Sequence, residues 1–172
     1  MKKVLVTLCS LFLAGCTGYP KNISPVSDFH LSRYLGKWYE IARLDHRFER
    51  GLSNVTAEYS LKDDGGVMVV NRGFSETKNE WSQAEGKAYF VRGEDEGYLK
   101  VSFFGPFYGS YVIFELDQDN YQYAYVTGPD QSYLWFLSRT PSVTEQMKRD
   151  FVSRVASLGY PVDELIFVEH NQ

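Results

Sequence analysis

Apolar and polar residues alternate with period two through most of this chain. Eight β-prone runs stand out, at 37–44, 54–61, 67–74, 80–90, 97–104, 108–116, 121–127 and 132–139. Turn residues such as Asp63-Asp64-Gly65-Gly66 and Asp117-Gln118-Asp119-Asn120 separate them, the signature of antiparallel hairpins joined as a meander. No long helical pattern interrupts the runs, which argues against a βαβ sheet. One helix follows, after a short helical turn is predicted over 28–34. Ser142-Val143-Thr144-Glu145 reads as a capping box, Met147, Phe151, Val155 and Leu158 recur at helical spacing, and Gly159 is placed to terminate the helix. A last apolar run at 165–168 predicts a short ninth strand. The fold class expected is all-β: an eight-stranded antiparallel up-and-down barrel, with a C-terminal α-helix packed outside and a short ninth strand.

The alternation within one run bears on what the barrel holds. Ser82, Ala84, Gly86 and Ala88 share a face that carries only small side chains, while Trp81, Gln83, Glu85, Lys87 and Tyr89 share the other. A solid core wants bulk on its inner face. Small residues facing inward leave room, and an eight-stranded barrel is just wide enough for one small ligand. The competing reading is that large residues of a neighbouring strand fill this space.

The first sixteen residues follow a different pattern. Lys2 and Lys3 precede an apolar run, residues 4–14, too short to span a bilayer as a helix, and Leu13-Ala14-Gly15-Cys16 follows. This resembles the bacterial lipobox, which implies cleavage before Cys16 and attachment of lipid to it. Thr17, not Asp, follows the cysteine, which in such signals implies sorting to the outer membrane. Residues 1–15 are then a lipoprotein signal peptide, 16–27 a lipidated tether with two prolines, and 28–172 the domain.

Composition narrows the partners. Loss of Lys2, Lys3 and Cys9 with the leader takes the formal charge from −4 to −6 and leaves Cys16 as the only cysteine, so no internal disulfide forms. There is no basic run, which argues against nucleic acid and against a polybasic membrane patch. The 13 tyrosines suit strands and amphipathic walls.

Gly36-Lys37-Trp38-Tyr39-Glu40-Ile41-Ala42, opening the first run, together with Arg139 in Leu137-Ser138-Arg139-Thr140-Pro141, resembles the lipocalin family. The resemblance implies that Trp38 plugs the closed end of the barrel and that Arg139 lies across it. Residues 45–52, 85–90 and 102–109, and Gly128-Pro129-Asp130 leading into Tyr133-Leu134-Trp135, resemble the family's bacterial outer-membrane lipoproteins. The family's middle motif is represented only loosely, by Leu116-Asp117-Gln118. The resemblance implies a membrane-anchored protein that holds a fatty acid, lysophospholipid or similar lipid for envelope maintenance, with no cofactor.

By period-two register, the cavity is expected to be lined by Val55, Ala57, Tyr59, Ala84, Gly86, Ala88, Leu99, Val101, Phe103, Trp135 and Leu137. Arg47, Phe48 and Arg50 fall in the first hairpin loop, which the family places at the mouth; either Arg could meet an anionic head group. Phe103-Phe104-Gly105-Pro106-Phe107-Tyr108 is a second aromatic cluster, read as hairpin packing or as a patch for a second subunit of a homodimer. Catalytic and metal chemistry find no constellation. His30, His46 and His170 lack metal-ligand spacing, and Asp63 and Asp64 belong to a turn. Two alternatives stand beside the lipid-binding reading: a lipid-modifying enzyme on the same barrel, and a structural envelope lipoprotein with a filled barrel.

Overall fold

A computed structural model describes residues 17–171. The strands are β1 (Gly36–Leu44), β2 (Leu52–Leu61), β3 (Val67–Ser75), β4 (Glu80–Phe90), β5 (Tyr98–Phe104), β6 (Phe107–Leu116), β7 (Tyr123–Thr127), β8 (Leu134–Ser138) and β9 (Leu165–Phe167). Each of β1 to β7 pairs antiparallel with the next, and β8 returns to β1, closing the barrel. The short β9 adds to the far part of β1, where Ala42 faces Phe167. The helices are α1 (Leu31–Tyr34) and α2 (Glu145–Ser157). Among the described residues, no helix is long and apolar enough to cross a membrane.

The side chains divide into two cores because each strand has two faces. Trp38, Tyr59, Val67, Val69, Ala88, Leu99 and Leu137 pack inside the barrel. Ile41, Leu44, Val112, Tyr125, Leu134 and Phe136 face outward and are covered by Phe151 and Val155 of α2. The helix begins two residues later than the capping-box reading has it. Thr144, not Ser142, is the N-cap, its hydroxyl accepting from the Met147 amide at 3.2 Å. Glu145 is therefore the first helical residue and pairs with Lys148 instead of closing a box. Gly159 does terminate the helix, at a φ of +83° that a side chain would resist.

The segment 17–27, read as a tether, is packed along the barrel. Ile23 is buried, the Val26 amide donates to the Ile113 carbonyl, and the Val26 carbonyl accepts from Gly97. One buried and one half-buried aliphatic side chain, Ile23 and Val26, and paired backbone groups hold it there, which its prolines and low apolar content do not reveal.

The closed end is built on Trp38. Its ring is fully buried, its indole N–H donates to the Tyr34 carbonyl at 2.8 Å, and the Arg139 guanidinium lies 3.9 Å over it. Arg139 also donates to the carbonyls of Lys37 and Arg33, at 2.9 and 2.7 Å, tying β8, β1 and α1 together. Gly36 sits beneath it with φ +91°, a conformation that favours glycine. Asp117 of the divergent middle motif accepts from the amides of Asn120 and Gln122, and Arg33 caps the neighbouring carbonyls of Gln118 and Asp119.

Candidate functional site

The space inside the barrel has a volume of about 90 Å³. Its wall includes Val55, Ala57 and Tyr59 of β2, Ala88 of β4, Leu99, Val101 and Phe103 of β5, and Trp135 and Leu137 of β8. Gly86 is buried on the same face of β4, opposite Val69. A Cβ there would stand 2.8 Å from the Phe103 ring, so Phe103 fills the room that Gly86 leaves. Ala84 departs from the expectation. It shares the inward parity of β4, opposite Asn71, but is exposed and forms no part of the wall. The reason is position: β4 outruns its pairing with β5, which ends at Lys87, and the far half of β4 has only β3 beside it.

The wall also includes residues outside the expected set. Tyr34, Glu40, Glu49, Thr56, Asn71 and Tyr111 also face the cavity. At its floor, the Tyr111 hydroxyl bonds to those of Tyr34 and Tyr59, at 2.8 and 2.7 Å. Burial pushes all three phenols above their ordinary range. Near the mouth lies a buried charged cluster. Glu40 accepts from the Arg43 guanidinium at 2.6 Å, and Arg43 also donates to the carbonyls of Glu49 and Leu52. His46 stands 3.0 Å from the Glu49 carboxylate, which accepts from the Trp135 indole at 3.1 Å. Burial first, and then the charge of Glu49, raise Glu40 well above the usual carboxylate range. Burial pushes Glu49 the same way, but hydrogen bonding and charge from His46, with the bonds from Trp135 and Glu40, outweigh it and hold Glu49 low.

A bulge makes this cluster possible. The register of β1 against β8 shifts between Glu40 and Ala42, so Arg43 joins Trp38 and Glu40 on the inner side while Ala42 joins the outer core. Strict alternation would send Ala42 inward and Arg43 out. Glu40, by contrast, shares parity with Trp38 and carries a signal that register alone could have found.

At the open end, loop 45–51 holds the three mouth residues. Phe48 is 55 % exposed, the Arg47 guanidinium lies 5.2 Å over its ring, and Arg50 bonds to Asp45 at 2.7 Å. The second aromatic cluster splits: Phe103 turns inward, while Phe104 and Phe107 stand out on either side of the β5–β6 turn. Among the described residues, no group of histidine, cysteine and carboxylate side chains has the geometry to hold a metal. The wall carries two carboxyls and several hydroxyls but, among the described residues that line it, no lysine, arginine or histidine.

The barrel, its Trp–Arg plug and its enclosed space have counterparts among known proteins. A family model for the Lipocalin-like domain matches residues 29–170. The chain belongs to the lipocalin family. It is 59 % identical to the outer membrane lipoprotein Blc of Vibrio cholerae, across 98 % of this chain and 99 % of that one. The protein of the same name from Escherichia coli K12 is 50 % identical, with 87 % and 84 % covered. The temperature-induced lipocalin-1 of Arabidopsis thaliana is 34 % identical over 84 % of this chain and 81 % of its own. Among solved structures, insecticyanin from Manduca sexta superposes with a TM-score of 0.69 at 22 % identity, covering 90 % of this chain and 88 % of its own. This lipocalin is, like its bacterial relatives, an outer-membrane lipoprotein. Cys16 lies outside the described residues.

Proposed function

We propose that this lipocalin is anchored in the outer membrane through acylated Cys16, faces the periplasm, and binds fatty acids or lysophospholipids for storage or transfer in envelope maintenance. The observation that carries the reading is a barrel cavity walled mostly by apolar side chains, with carboxyls but no cation among its described lining residues. Such a wall accepts a hydrocarbon tail and repels an anionic head. A carboxylate or phosphate head is therefore best accommodated at the mouth, where Arg47 is exposed to solvent. A sixteen-carbon tail would offer on the order of 12 kcal/mol if wholly buried, but a cavity of about 90 Å³ takes in only part of it, and association and ordering costs reduce the gain further.

Displacement of a fluorescent fatty acid tests the reading, with Ala57→Trp as the cavity-filling variant. Ala57 lies on the wall, half-buried against the inner core. The folded variant is expected to lose at least about tenfold in affinity, equivalent to roughly 1.4 kcal/mol. Binding equal to wild type would place the lipid elsewhere and favour the structural, filled-barrel reading. Turnover of an ester of the lipid by wild type would favour the enzyme reading.

A further inference from the structure

The mouth carries an apolar surface that cavity binding does not use. Phe104 and Phe107 are 67 % and 70 % exposed, at the tip of the β5–β6 hairpin. The ring of Phe48, from the neighbouring mouth loop, stacks on Phe104 with centroids 6.5 Å apart, so the two loops form one patch. Three large aromatic rings held together in water are costly to leave uncovered and mark an interaction surface.

The start of the described chain shows where the anchor lies relative to that patch. Tyr19 packs edge-on against Tyr98, at the level where Tyr98 faces Val112. One residue back, the Gly18 carbonyl accepts from the Ser110 hydroxyl. Traced toward its N-terminus, the segment is therefore climbing β6 toward the mouth. Ser110 is three residues from Phe107 along that strand, roughly 10 Å. Cys16 is two residues before Gly18, at most about 7 Å of extended chain. The segment is also fixed where it leaves the barrel, by the Val26 pairings and by a 2.8 Å bond from Arg92 to the Tyr19 hydroxyl.

We infer that the open mouth of the barrel docks on the bilayer that holds the protein's own anchor, with Phe48, Phe104 and Phe107 immersed at the lipid interface. The short reach from Gly18 puts the acylated cysteine on the mouth side. The apolar patch then meets lipid, and Arg47, stacked over Phe48, has its guanidinium at the depth of the phosphates. A lipid could thus pass between bilayer and cavity without crossing water. The inference rests on acylation of Cys16 but on no particular ligand.

The test reconstitutes the full acylated chain in phosphatidylethanolamine and phosphatidylglycerol vesicles, with and without brominated acyl chains. Three variants are compared after subtracting the wild-type emission: Phe107→Trp and Phe48→Trp at the mouth, and Leu61→Trp at the closed end, where Leu61 is 62 % exposed. The two mouth variants are expected to lose most of their added fluorescence to the brominated chains, and the Leu61→Trp variant to keep it. Equal quenching at the two ends, or none at either, overturns the inference. So does a mouth shielded from aqueous iodide but untouched by bromine, the pattern expected if a second copy of the chain covers the patch. A chain that fails to sediment with the vesicles removes the anchor itself and this inference with it. An anchored chain with an unquenched mouth removes the orientation alone.

Discussion

At the residue scale, two inward-facing side chains of β1 bear on stability in different ways. Trp38 is wholly buried and carries Arg139 on its face. Trp38→Ala is expected to cost about 3–5 kcal/mol in urea melts, as for other buried large aromatics. A loss below about 1 kcal/mol would show that the ring is not the plug. Glu40 is buried beside Glu49 and raised above its ordinary value of 4.5. Between that value and the raised one, the native state keeps a proton that the unfolded chain releases. The stability Glu40 contributes is thus present at low pH and lost as pH rises through its native value. Glu49 is held low, so its contribution is present above the ordinary range and lost as pH falls. Glu40→Gln mimics the protonated acid and keeps an acceptor for Arg43. Urea melts between about pH 5 and about pH 8 are expected to show wild type declining toward the upper end and the variant holding level. Equal pH profiles would mean that Glu40 is not the group responsible.

At the scale of elements, β4 and β5 together set how much tail the cavity admits. The small face of β4 predicted open space, but Phe103 of β5 occupies part of it beside Gly86. Both competing readings of that face hold, each over part of the strand. Strand positions were legible because alternation is written into every run, and the ends agree to within a few residues. What crosses between strands was not legible. The β1 bulge that turns Arg43 inward, the Tyr34–Tyr111–Tyr59 chain and the Glu49–Trp135 bond all join residues distant in sequence. Ala84 failed for a related reason, since parity says which way a residue points but not where the wall stops. A cavity of about 90 Å³ has room for roughly six to nine water-sized groups. Wild-type affinity for fatty acids is therefore expected to rise with chain length to about eight carbons, at no more than about 0.8 kcal/mol each, and then flatten. Phe103→Ala should carry the rise on toward sixteen. Displacement assays with eight-, twelve- and sixteen-carbon acids read this directly. A full increment per carbon in wild type up to sixteen would show that Phe103 does not limit the cavity.

At the scale of the whole molecule, residues 17–27 are fastened to the barrel wall, so the anchor proposed at Cys16 would act in one geometry with the barrel. Of the described residues in that segment, Ile23 is buried and Val26 is paired on both its amide and its carbonyl. An anchor at Cys16, as proposed, would hold the domain in a particular attitude as well as keep it at the membrane. A single acyl chain gives only marginal, reversible binding, so stable attachment takes at least a second signal, and the mouth aromatics would add to whatever chains Cys16 carries. Cys16→Ser removes the covalent part and leaves the aromatic part. The unacylated variant is expected to leave the outer-membrane fraction after a high-salt wash while still binding fluorescent fatty acid with wild-type affinity, because the cavity wall is untouched. The salt matters to the reading, since it strips electrostatic attachment but strengthens apolar contact. Retention of the Cys16→Ser variant would show that acylation is not what keeps the protein in place. Release with loss of lipid binding would show that the cavity depends on the anchored state, and that the two halves of the molecule are coupled more tightly than a fastened segment alone requires.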